Sequence, residues 1–309
     1  MSLKSLKDGF QNKELDKWSY IEKMYDHHKL LLEYGSFIEE TNISGITIAD
    51  GQVVMEFRDS GVKFLTAGQD KRLASLESVN FGSYELDELA IQLRLIDPGT
   101  TVFDIGGNFG WYACHVAKKF PTVKVLSFEP IPDTYKYLQK NVDLNSLSNI
   151  EAFPIGFSEQ KGSFEFFYDP ALSVNASLKN VAGTDKAQSV TCNVETVDKF
   201  VSEKNLQVDF IKCDVEGAEL LVFKGAKEAI QKFKPVVFSE MLRKWTSKFD
   251  YHPNDIIHFF RSLGYSPFVI GNDMLKPFTL VDDTSQETNY VFLHDEKHKT
   301  KIENYSRKR

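Results

Sequence analysis

Apolar and polar positions follow two different periods along the first 80 residues. Between residues 14 and 34, apolar side chains recur at mostly three-to-four spacing, which predicts an amphipathic helix. The next segment has two runs of alternating apolar and polar residues, one on each side of Asp50-Gly51. An Asp-Gly pair readily adopts the left-handed backbone of a tight hairpin turn. Residues 1–80 are therefore predicted to form a helix-plus-hairpin extension.

From residue 84 onward, short apolar runs alternate with helical patterns of ten or more residues. This alternation is typical of βαβ units, in which helices cover both faces of a parallel sheet. The seven predicted strands cover residues 100–106, 123–130, 149–156, 208–217, 234–240, 265–271 and 289–295. The pattern thus predicts a doubly wound α/β domain over residues 81–294, with a mostly parallel seven-stranded sheet. Residues 295–309 are predicted to be a solvated basic tail.

Composition narrows the functional classes. The 309 residues include 37 Lys and Arg against 44 Asp and Glu, a net charge of −7 with histidine neutral. An acidic chain lacks the basic field typical of general nucleic-acid binders, so no nucleic-acid partner is expected. Hydrophobic residues make up 42% of the chain. Because no run reaches the ~18 apolar residues of a membrane helix, no membrane partner is expected either.

The number and spacing of the cysteines argue against disulfide bonds and against a cysteine-ligated metal site. Cys114, Cys192 and Cys213 are widely spaced and form no CxxC pair. Neither a disulfide framework nor a bound metal is therefore indicated. The first residues lack the apolar core of a secretory signal, and the expected location is the reducing cytoplasm.

The most informative segment follows the first strand of the predicted α/β domain. It reads DIGGNFG (residues 104–110), at the strand end where open α/β sheets bind ligands. The second strand ends at Glu129, where a carboxylate is placed to accept both hydroxyls of a ribose. Each carboxylate alone could instead cap a helix or lie in a solvated turn. A nicotinamide dehydrogenase is disfavoured, because its Gly-x-Gly-x-x-Gly spacing needs glycine where Asn108 and Trp111 stand.

These motifs resemble the FkbM-type branch of the class I S-adenosylmethionine-dependent methyltransferases. The resemblance covers about residues 81–270 and is most specific in DFIKCDVEGAELLVFKGA (residues 209–226). The lead-in FGxYE of the family appears as FGSYE, ending at Glu85. Asn108 replaces the glycine of many class I enzymes, in agreement with this branch. The Leu-Asp pair before the fourth strand is here Val197-Asp198, a mild departure.

The resemblance implies a site for S-adenosyl-L-methionine at the strand ends. Glu129 would hold the ribose hydroxyls, and Gly156 and Phe157 would lie near the adenine. Asp214 and Glu216 would lie over the cleft. The residues implied around the cofactor are Glu85, Asp104, Gly106, Asn108, Gly110, Glu129, Pro130, Gly156, Phe157 and Asp214.

The end of the fourth strand supplies candidates for catalysis. Lys212 and Asp214 lie two residues apart and so on one face of a strand. A buried lysine is costly without a partner, which favours a structural ion pair with Asp214 or Glu240 over direct chemistry. An acceptor hydroxyl is a very weak acid and needs a base within hydrogen-bond reach. His252 is the first candidate, with Asp214 and Glu240 as positioning carboxylates that could take over.

The sequence therefore predicts an O-methyltransferase acting on a hydroxyl of a sugar, a glycan or a small natural product. The acceptor class is implied by the family resemblance alone. Alternatives are the dehydrogenase and a catalytically silent cofactor-binding or scaffold protein. Residues 1–80 are expected to pack on the cleft or to join two copies as a homo-oligomer. Further acceptor-side candidates are Asn175, Ser177, Trp111, Tyr112, Trp245 and Phe249.

Overall fold

The computed structural model describes residues 1–66, 70–169, 172–180, 187–271 and 274–306, with only the backbone described for residues 172–176. The strands are β1 (Ile43–Ala49), β2 (Gln52–Phe57), β3 (Lys63–Leu65), β4 (Thr101–Ile105), β5 (Lys124–Phe128), β6 (Ile150–Phe153), β7 (Gly156–Phe157), β8 (Gly162–Asp169), β9 (Leu172–Ser177), β10 (Gln188–Glu195), β11 (Phe210–Cys213), β12 (Val236–Glu240), β13 (Tyr265–Gly271), β14 (Met274–Pro277) and β15 (Asn289–His294). The α-helices are α1 (Leu3–Gln11), α2 (Lys17–Phe37), α3 (Ala74–Phe81), α4 (Leu86–Leu95), α5 (Trp111–Lys119), α6 (Pro132–Leu144), α7 (Val197–Glu203), α8 (Glu219–Lys224), α9 (Lys227–Phe233), α10 (Arg243–Thr246), α11 (Pro253–Ser262) and α12 (Lys299–Ser306).

The large sheet confirms the predicted α/β fold. In the described part of the chain its order is β14-β13-β15-β12-β11-β4-β5-β6. The strands from β12 to β6 pair in parallel, and the three at the other edge pair antiparallel. The sheet has eight strands rather than seven, because β14 pairs with the edge strand β13. Its core contains Phe103, Leu126 and Val237, all fully buried.

The predicted helix and hairpin of the amino-terminal segment form, and helices α1 and α3 and strand β3 are additions. Helix α2 begins at residue 17 because the side chain of Asp16 accepts hydrogen bonds from the first backbone N–H groups. Strands β1 and β2 form the expected hairpin around Asp50 and Gly51, both of which have positive φ. Strand β3 completes a three-stranded sheet. This sheet shares a hydrophobic cluster with α5, so the hairpin packs directly on the α/β domain.

Two segments differ from the sequence prediction. The helical pattern between the predicted strands 208–217 and 234–240 folds as two helices, α8 and α9, which are separated at Gly225. A Cβ on Gly225 would lie 2.1 Å from the carbonyl oxygen of Ser158. The predicted solvated tail instead contains helix α12. Its Ile302 packs on the core, and its Lys301 Nζ lies 2.7 Å from Asp97. The tail is therefore held to the domain by both apolar and ionic contacts.

The chain forms a second sheet from the segment that connects β6 to β11 in the sequence. Its order is β7-β10-β8-β9 within the described residues. It contributes Phe166 to the cavity described below. None of the helices in the described part of the chain combines the length and hydropathy of a membrane span.

Candidate functional site

The turn after β4 brings two strand ends into very close contact. Gly106 has φ +77°, and a Cβ on it would lie 1.8 Å from the carbonyl oxygen of Asp214. The N–H groups of Gly106 and Gly107 both donate to the carbonyl oxygen of Phe128, at 3.0 and 2.9 Å. Only glycine fits a position that needs both a left-handed backbone and this approach. The turn therefore fixes the ends of β4, β5 and β11 relative to one another.

Glu129 lies at the end of β5, with both of its oxygens held by backbone groups. The N–H of Asn108 donates to Oε2 and the N–H of Ile131 donates to Oε1, each at 2.9 Å. The side chain is 5% exposed, and burial raises the pKa of Glu129 to about 7. A carboxylate has about four acceptor positions, so two of them stay available to hydroxyl donors. This geometry fits the predicted ribose contact.

Asp104 and Lys212 form the buried base of the site. The hydroxyl of Ser127 donates to Asp104 Oδ2 at 2.8 Å, and Lys212 Nζ lies 3.7 Å from Oδ1. Burial raises the pKa of Asp104, with Lys212 opposing the shift. Lys212 also donates to the carbonyl oxygen of Gly106 at 2.9 Å and lies 3.4 Å from Asp214 Oδ2. Burial opposes its charged form, but Asp214 and Asp104 raise the pKa of Lys212 above its usual range.

The predicted ion pair of Lys212 with Asp214 is thus confirmed. No ion pair joins Lys212 to Glu240 in the part of the chain that the structure describes. A single buried cation therefore serves the carboxylates of β4 and β11 together.

An open cavity of about 670 Å³, including space continuous with solvent, lies above this base. Six residues of the predicted cofactor set line it: Glu85, Gly106, Asn108, Glu129, Pro130 and Asp214. The other lining residues are Tyr84, Gly107, Phe109, Trp111, Tyr112, Phe166, Lys212, Val215 and Glu216. The structure therefore assembles most of the predicted contacts around one space.

Four predicted contacts are not part of that lining. Asp104 lies beneath the turn, and Gly110 caps the start of α5. Gly156 and Phe157 pair with β10 in the second sheet rather than extending β6. Phe157 is 3% exposed, and its ring lies 4.6 Å from that of Phe128. Their roles toward a cofactor stay predictions.

We call Asp104 and Glu129 the donor half of the cavity, and Asp214, Glu216 and Glu240 the acceptor half. Glu240 does not itself line the cavity but lies beside Asp214 and Glu216, which do. The carboxylates of the acceptor half have ligand oxygens within 4.8 Å of one another, a spacing that could also accommodate a metal ion. Burial and then the charge of Asp214 raise the pKa of Glu216 and of Glu240 well above the ordinary glutamate value. This half of the cavity therefore holds protons strongly.

Unsatisfied acceptors concentrate at the site. The buried oxygens Asp104 Oδ1, Asn108 Oδ1, Asp214 Oδ1 and Glu216 Oε2 accept no hydrogen bond within the described residues. Buried polar atoms without partners are rare and costly, so they point to a ligand. The site therefore fits a ligand rich in hydrogen-bond donors or positive charge.

His252 has a structural contact of its own. Its Nδ1 accepts a hydrogen bond from the N–H of Asn254 at 3.2 Å, and its own N–H donates to Asp255 at 2.8 Å. The two bonds form a capping box at the start of α11. The residue is exposed and does not line the cavity. Its role as the base stays a prediction without geometric support.

Sequence reasoning missed the residues that hold the loop after β11. Glu219, 1% exposed, accepts hydrogen bonds from the N–H groups of Val215 and Gly217 at 3.1 and 2.9 Å. The hydroxyl of Tyr251 donates to the carbonyl oxygen of Gly217 at 2.8 Å. A glutamate just before the apolar run LLVF was the available signal, because burial there requires donors.

Other acceptor-side candidates are partly supported. The hydroxyl of Tyr112 donates to Glu85 at 2.6 Å, and burial of its carboxyl raises the pKa of Glu85. Ser177 donates to the carbonyl oxygen of Glu216 at 2.8 Å. The side chain of Asn175 lies outside the described residues.

Comparisons with known proteins identify methyltransferases among the similar sequences. A "Methyltransferase 1" of Beauveria bassiana is 30% identical over 40% of this chain and 57% of its own length. A hexuronic acid methyltransferase of Haloferax volcanii is 28% identical over 50% of this chain and 61% of its own length. The chain therefore matches about six tenths of each relative. A solved FkbM methyltransferase of Methylobacillus flagellatus has 18% identity and a TM-score of 0.43, over 64% of this chain and 44% of its own.

The family model for the methyltransferase FkbM domain matches residues 104–267, more than half of the chain. The match begins at Asp104 and includes Glu129, Asp214 and Glu240, which are the carboxylates of both halves of the cavity. This match to a methyltransferase family excludes the alternative that the chain is a nicotinamide-dependent dehydrogenase. The chain belongs to the FkbM methyltransferase domain family.

Proposed function

We propose that this chain is an S-adenosylmethionine-dependent O-methyltransferase whose acceptor is a hydroxyl of a neutral sugar or small polar natural product. One observation carries the proposal: the crowded carboxylates of the acceptor half lie next to a cavity lined by cofactor-type residues. Membership in the methyltransferase family supports the reaction class. The similarity to a hexuronic acid methyltransferase supports a sugar ring as the acceptor, although the neutral acceptor proposed here differs in charge from the acid of that relative.

The donor half fits the chemistry of S-adenosylmethionine. That cofactor supplies an electrophilic methyl group on a positively charged sulfur, together with ammonium and hydroxyl donors. Glu129 would accept the ribose hydroxyls through its two free acceptor positions. Asn108 Oδ1 and Asp214 Oδ1 would accept from other donor groups. A cavity with five lining or underlying carboxylates and one buried lysine favours a cation.

The acceptor half would orient the hydroxyl and take its proton. The bound cofactor would supply the methyl group, and a carboxylate of the acceptor half would take the proton that the acceptor hydroxyl gives up. Glu240 and Asp214 end adjacent parallel strands, so their oxygens converge. A carboxylate with a raised pKa is a stronger base than an ordinary one. We therefore place the base among these carboxylates and give His252 the helix-capping role.

The same charges limit the acceptor. An anionic group entering the acceptor half would meet several carboxylates at low dielectric, which is unfavourable. A nucleic-acid acceptor would add phosphates to that repulsion and to the net charge of −7. We therefore propose a neutral acceptor and no nucleic-acid partner.

A screen of acceptors tests the proposal. The purified chain is incubated with labelled methyl donor and matched sets of neutral sugars, uronic acids and amines. The proposal expects label on a neutral hydroxyl compound, with at least tenfold higher kcat/KM than on its uronate analogue. We also propose that no metal takes part in the transfer, so chelator should leave turnover unchanged. Transfer to amines only would overturn the O-methylation. Donor binding without transfer to any acceptor would favour the catalytically silent alternative.

A further inference from the structure

Helix α2 is the longest described helix, and it contributes no side chain to the hydrophobic core. Its 21 residues include no buried side chain, although they carry many large apolar groups. Trp18, Tyr25 and Leu32 are 74%, 57% and 67% exposed. Contiguous apolar surface of this kind marks an interaction site in a folded protein. The helix therefore has an apolar surface that none of the described residues of the same chain covers.

Five exposed side chains of α2, four of them apolar, form a stripe along the helix. Trp18, Ile21, Tyr25, His28 and Leu32 follow three-to-four spacing, which places them on one side of the helix. Another side of the helix packs on α1, where the ring of Tyr20 stacks on that of Phe10, and Met24 lies between that side and the stripe. The stripe has the seam pattern of a helix that packs against another helix. We call these five residues the α2 seam.

We propose that the α2 seam pairs antiparallel with the same seam of a second copy of this chain, forming a homodimer. In an antiparallel pair, the first seam position of each heptad faces the second seam position of the other helix. This register places Ile21 against the partner's Leu32, and Tyr25 against the partner's His28. Trp18 then meets the partner's Gly35, which has open space around its Cβ position and so admits the indole.

The residues beside the seam support pairing with itself. On one flank, the register places Glu22 near the partner's Lys29, so each dimer contains two pairs of opposite charge. On the other flank, Met24 faces the partner's Leu31, which is 55% exposed in the single chain. Charge and apolar surface are thus complementary on both sides. Such self-complementarity is what a two-fold interface requires.

The area is adequate for a dimer of modest affinity. The exposed parts of the seam and of Leu31 amount to on the order of 600 Å². A standard interface buries about 800 Å² per partner, and the polar flanks supply the remainder. This inference concerns assembly, so it stands independently of the reaction proposed above.

Light scattering after size exclusion tests the dimer with a matched pair of variants. Leu32→Glu places a carboxylate in the seam against the partner's Ile21. Leu30→Glu makes the same change at a side chain that is 52% exposed but off the seam. We expect twice the chain mass for the natural protein and for Leu30→Glu at about 100 µM, near the micromolar range of small interfaces. Leu32→Glu should elute at the mass of one chain.

Three results would overturn the proposal: a monomeric natural chain, two dimeric variants, or two monomeric variants. Far-UV circular dichroism of both variants checks that α2 stays helical, since the substitution is the same in each. A monomer that binds lipid vesicles would assign the seam to a membrane surface instead, and would also overturn the dimer.

Charge reversal tests the antiparallel orientation. Glu22→Lys and Lys29→Glu each create two like-charge pairs and should raise the dimer Kd several-fold. The double variant E22K/K29E restores opposite charges across the dyad, and its Kd should return to within about twofold of the natural value. In a parallel pair Glu22 would face the partner's Lys17, and the double variant would not recover. Failure of the double variant to recover therefore overturns the antiparallel register.

Discussion

The two halves of the cavity satisfy their carboxylates in different ways. In the donor half, Glu129 receives two backbone N–H groups and Asp104 Oδ2 receives a hydroxyl, while Asp104 Oδ1 accepts no hydrogen bond within the described residues. In the acceptor half, Asp214 Oδ2 lies 3.4 Å from the ammonium of Lys212, but Asp214 Oδ1 and Glu216 Oε2 have no donor within the described residues, and the carboxylates crowd one another. Glu129 is therefore preorganised by the chain's own backbone, whereas the acceptor carboxylates are completed by a proton or a ligand.

This difference separates binding from chemistry. A site whose acceptors are already held in place loses little entropy when a ligand arrives, which favours affinity. A site with mutually raised pKa values stores proton affinity, which favours general base catalysis. Substitutions in the donor half should therefore change the affinity for the methyl donor. Those in the acceptor half should change turnover.

The largest effect is expected in the acceptor half. Glu240→Gln keeps the size of the side chain but removes the carboxylate that would take the proton, so kcat should fall by roughly 10²–10⁴-fold. Because a carboxyl group accepts a proton only when ionised, turnover of the natural chain should rise with pH across the neutral range. The variant should lose most of that rise. Steady-state kinetics against pH, with donor affinity measured by calorimetry, checks both.

His252→Ala is the comparison for that variant. Loss of a helix cap costs about 1 kcal/mol of stability, so the thermal midpoint should fall while kcat changes less than tenfold. If His252→Ala were the variant that lost 10²-fold or more in kcat, the base would be the histidine and our assignment would be wrong.

The next effect concerns the turn that joins the halves. Gly106→Ala and Gly99→Ala change glycines with nearly equal φ, +77° and +79°, but only the first meets a backbone oxygen at 1.8 Å. Gly99→Ala should lose about 1 kcal/mol of unfolding free energy from the left-handed backbone. Gly106→Ala should lose about 3 kcal/mol or more and weaken donor binding about 100-fold. Denaturant unfolding and calorimetry measure both; equal losses would show that the close approach does not matter.

A smaller effect is expected from Glu129→Ala. Charge-assisted hydrogen bonds contribute about 1.5–3 kcal/mol, so donor affinity should fall tenfold or more while kcat at saturating donor changes little. Glu151→Gln, on the neighbouring strand and half exposed, is the control and should bind normally. Calorimetry showing unchanged affinity for Glu129→Ala would contradict the assignment of the donor half.

The fold was predictable where local signals and burial agree. The hairpin followed from Asp50-Gly51, and the parallel strands followed from apolar runs between helices. Helix α12 could not be predicted, because its charged residues resemble a solvated tail. The contacts that hold it, Ile302 with the core and Lys301 with Asp97, join positions that are distant in the sequence. Strand β14 adds to an edge, and such pairing depends on a neighbour that the local sequence does not reveal.

In the site, too, the positions set by the local βα pattern were predictable, and those set by distant contacts were not. Glu129 and Asp214 stand at strand ends, which the βα pattern locates directly. The convergence of Glu216 with Glu240 depends on the left-handed backbone of Glu216, φ +54°, and on the loop held by Glu219. Those contacts join positions that are far apart in the sequence. The residue type of His252 favours it as a base in the sequence, whereas its contacts in the structure are those of a helix cap.

The smallest expected effect concerns Glu219, which positions the acceptor half without belonging to it. Burial raises the pKa of Glu219 to about 7, above the ordinary value of 4.5. Between these values the folded chain keeps a proton that the unfolded chain has released, so this residue lowers stability as pH rises through that window. Glu219→Gln can accept the same two backbone N–H groups and donate toward Tyr251. It should gain about 1 kcal/mol above neutral pH, or roughly 2 °C in Tm, and nothing at acid pH. Thermal unfolding at several pH values measures this gain, with the exposed Glu228→Gln as control. A gain that is independent of pH would show that the carboxyl group does not titrate in that window.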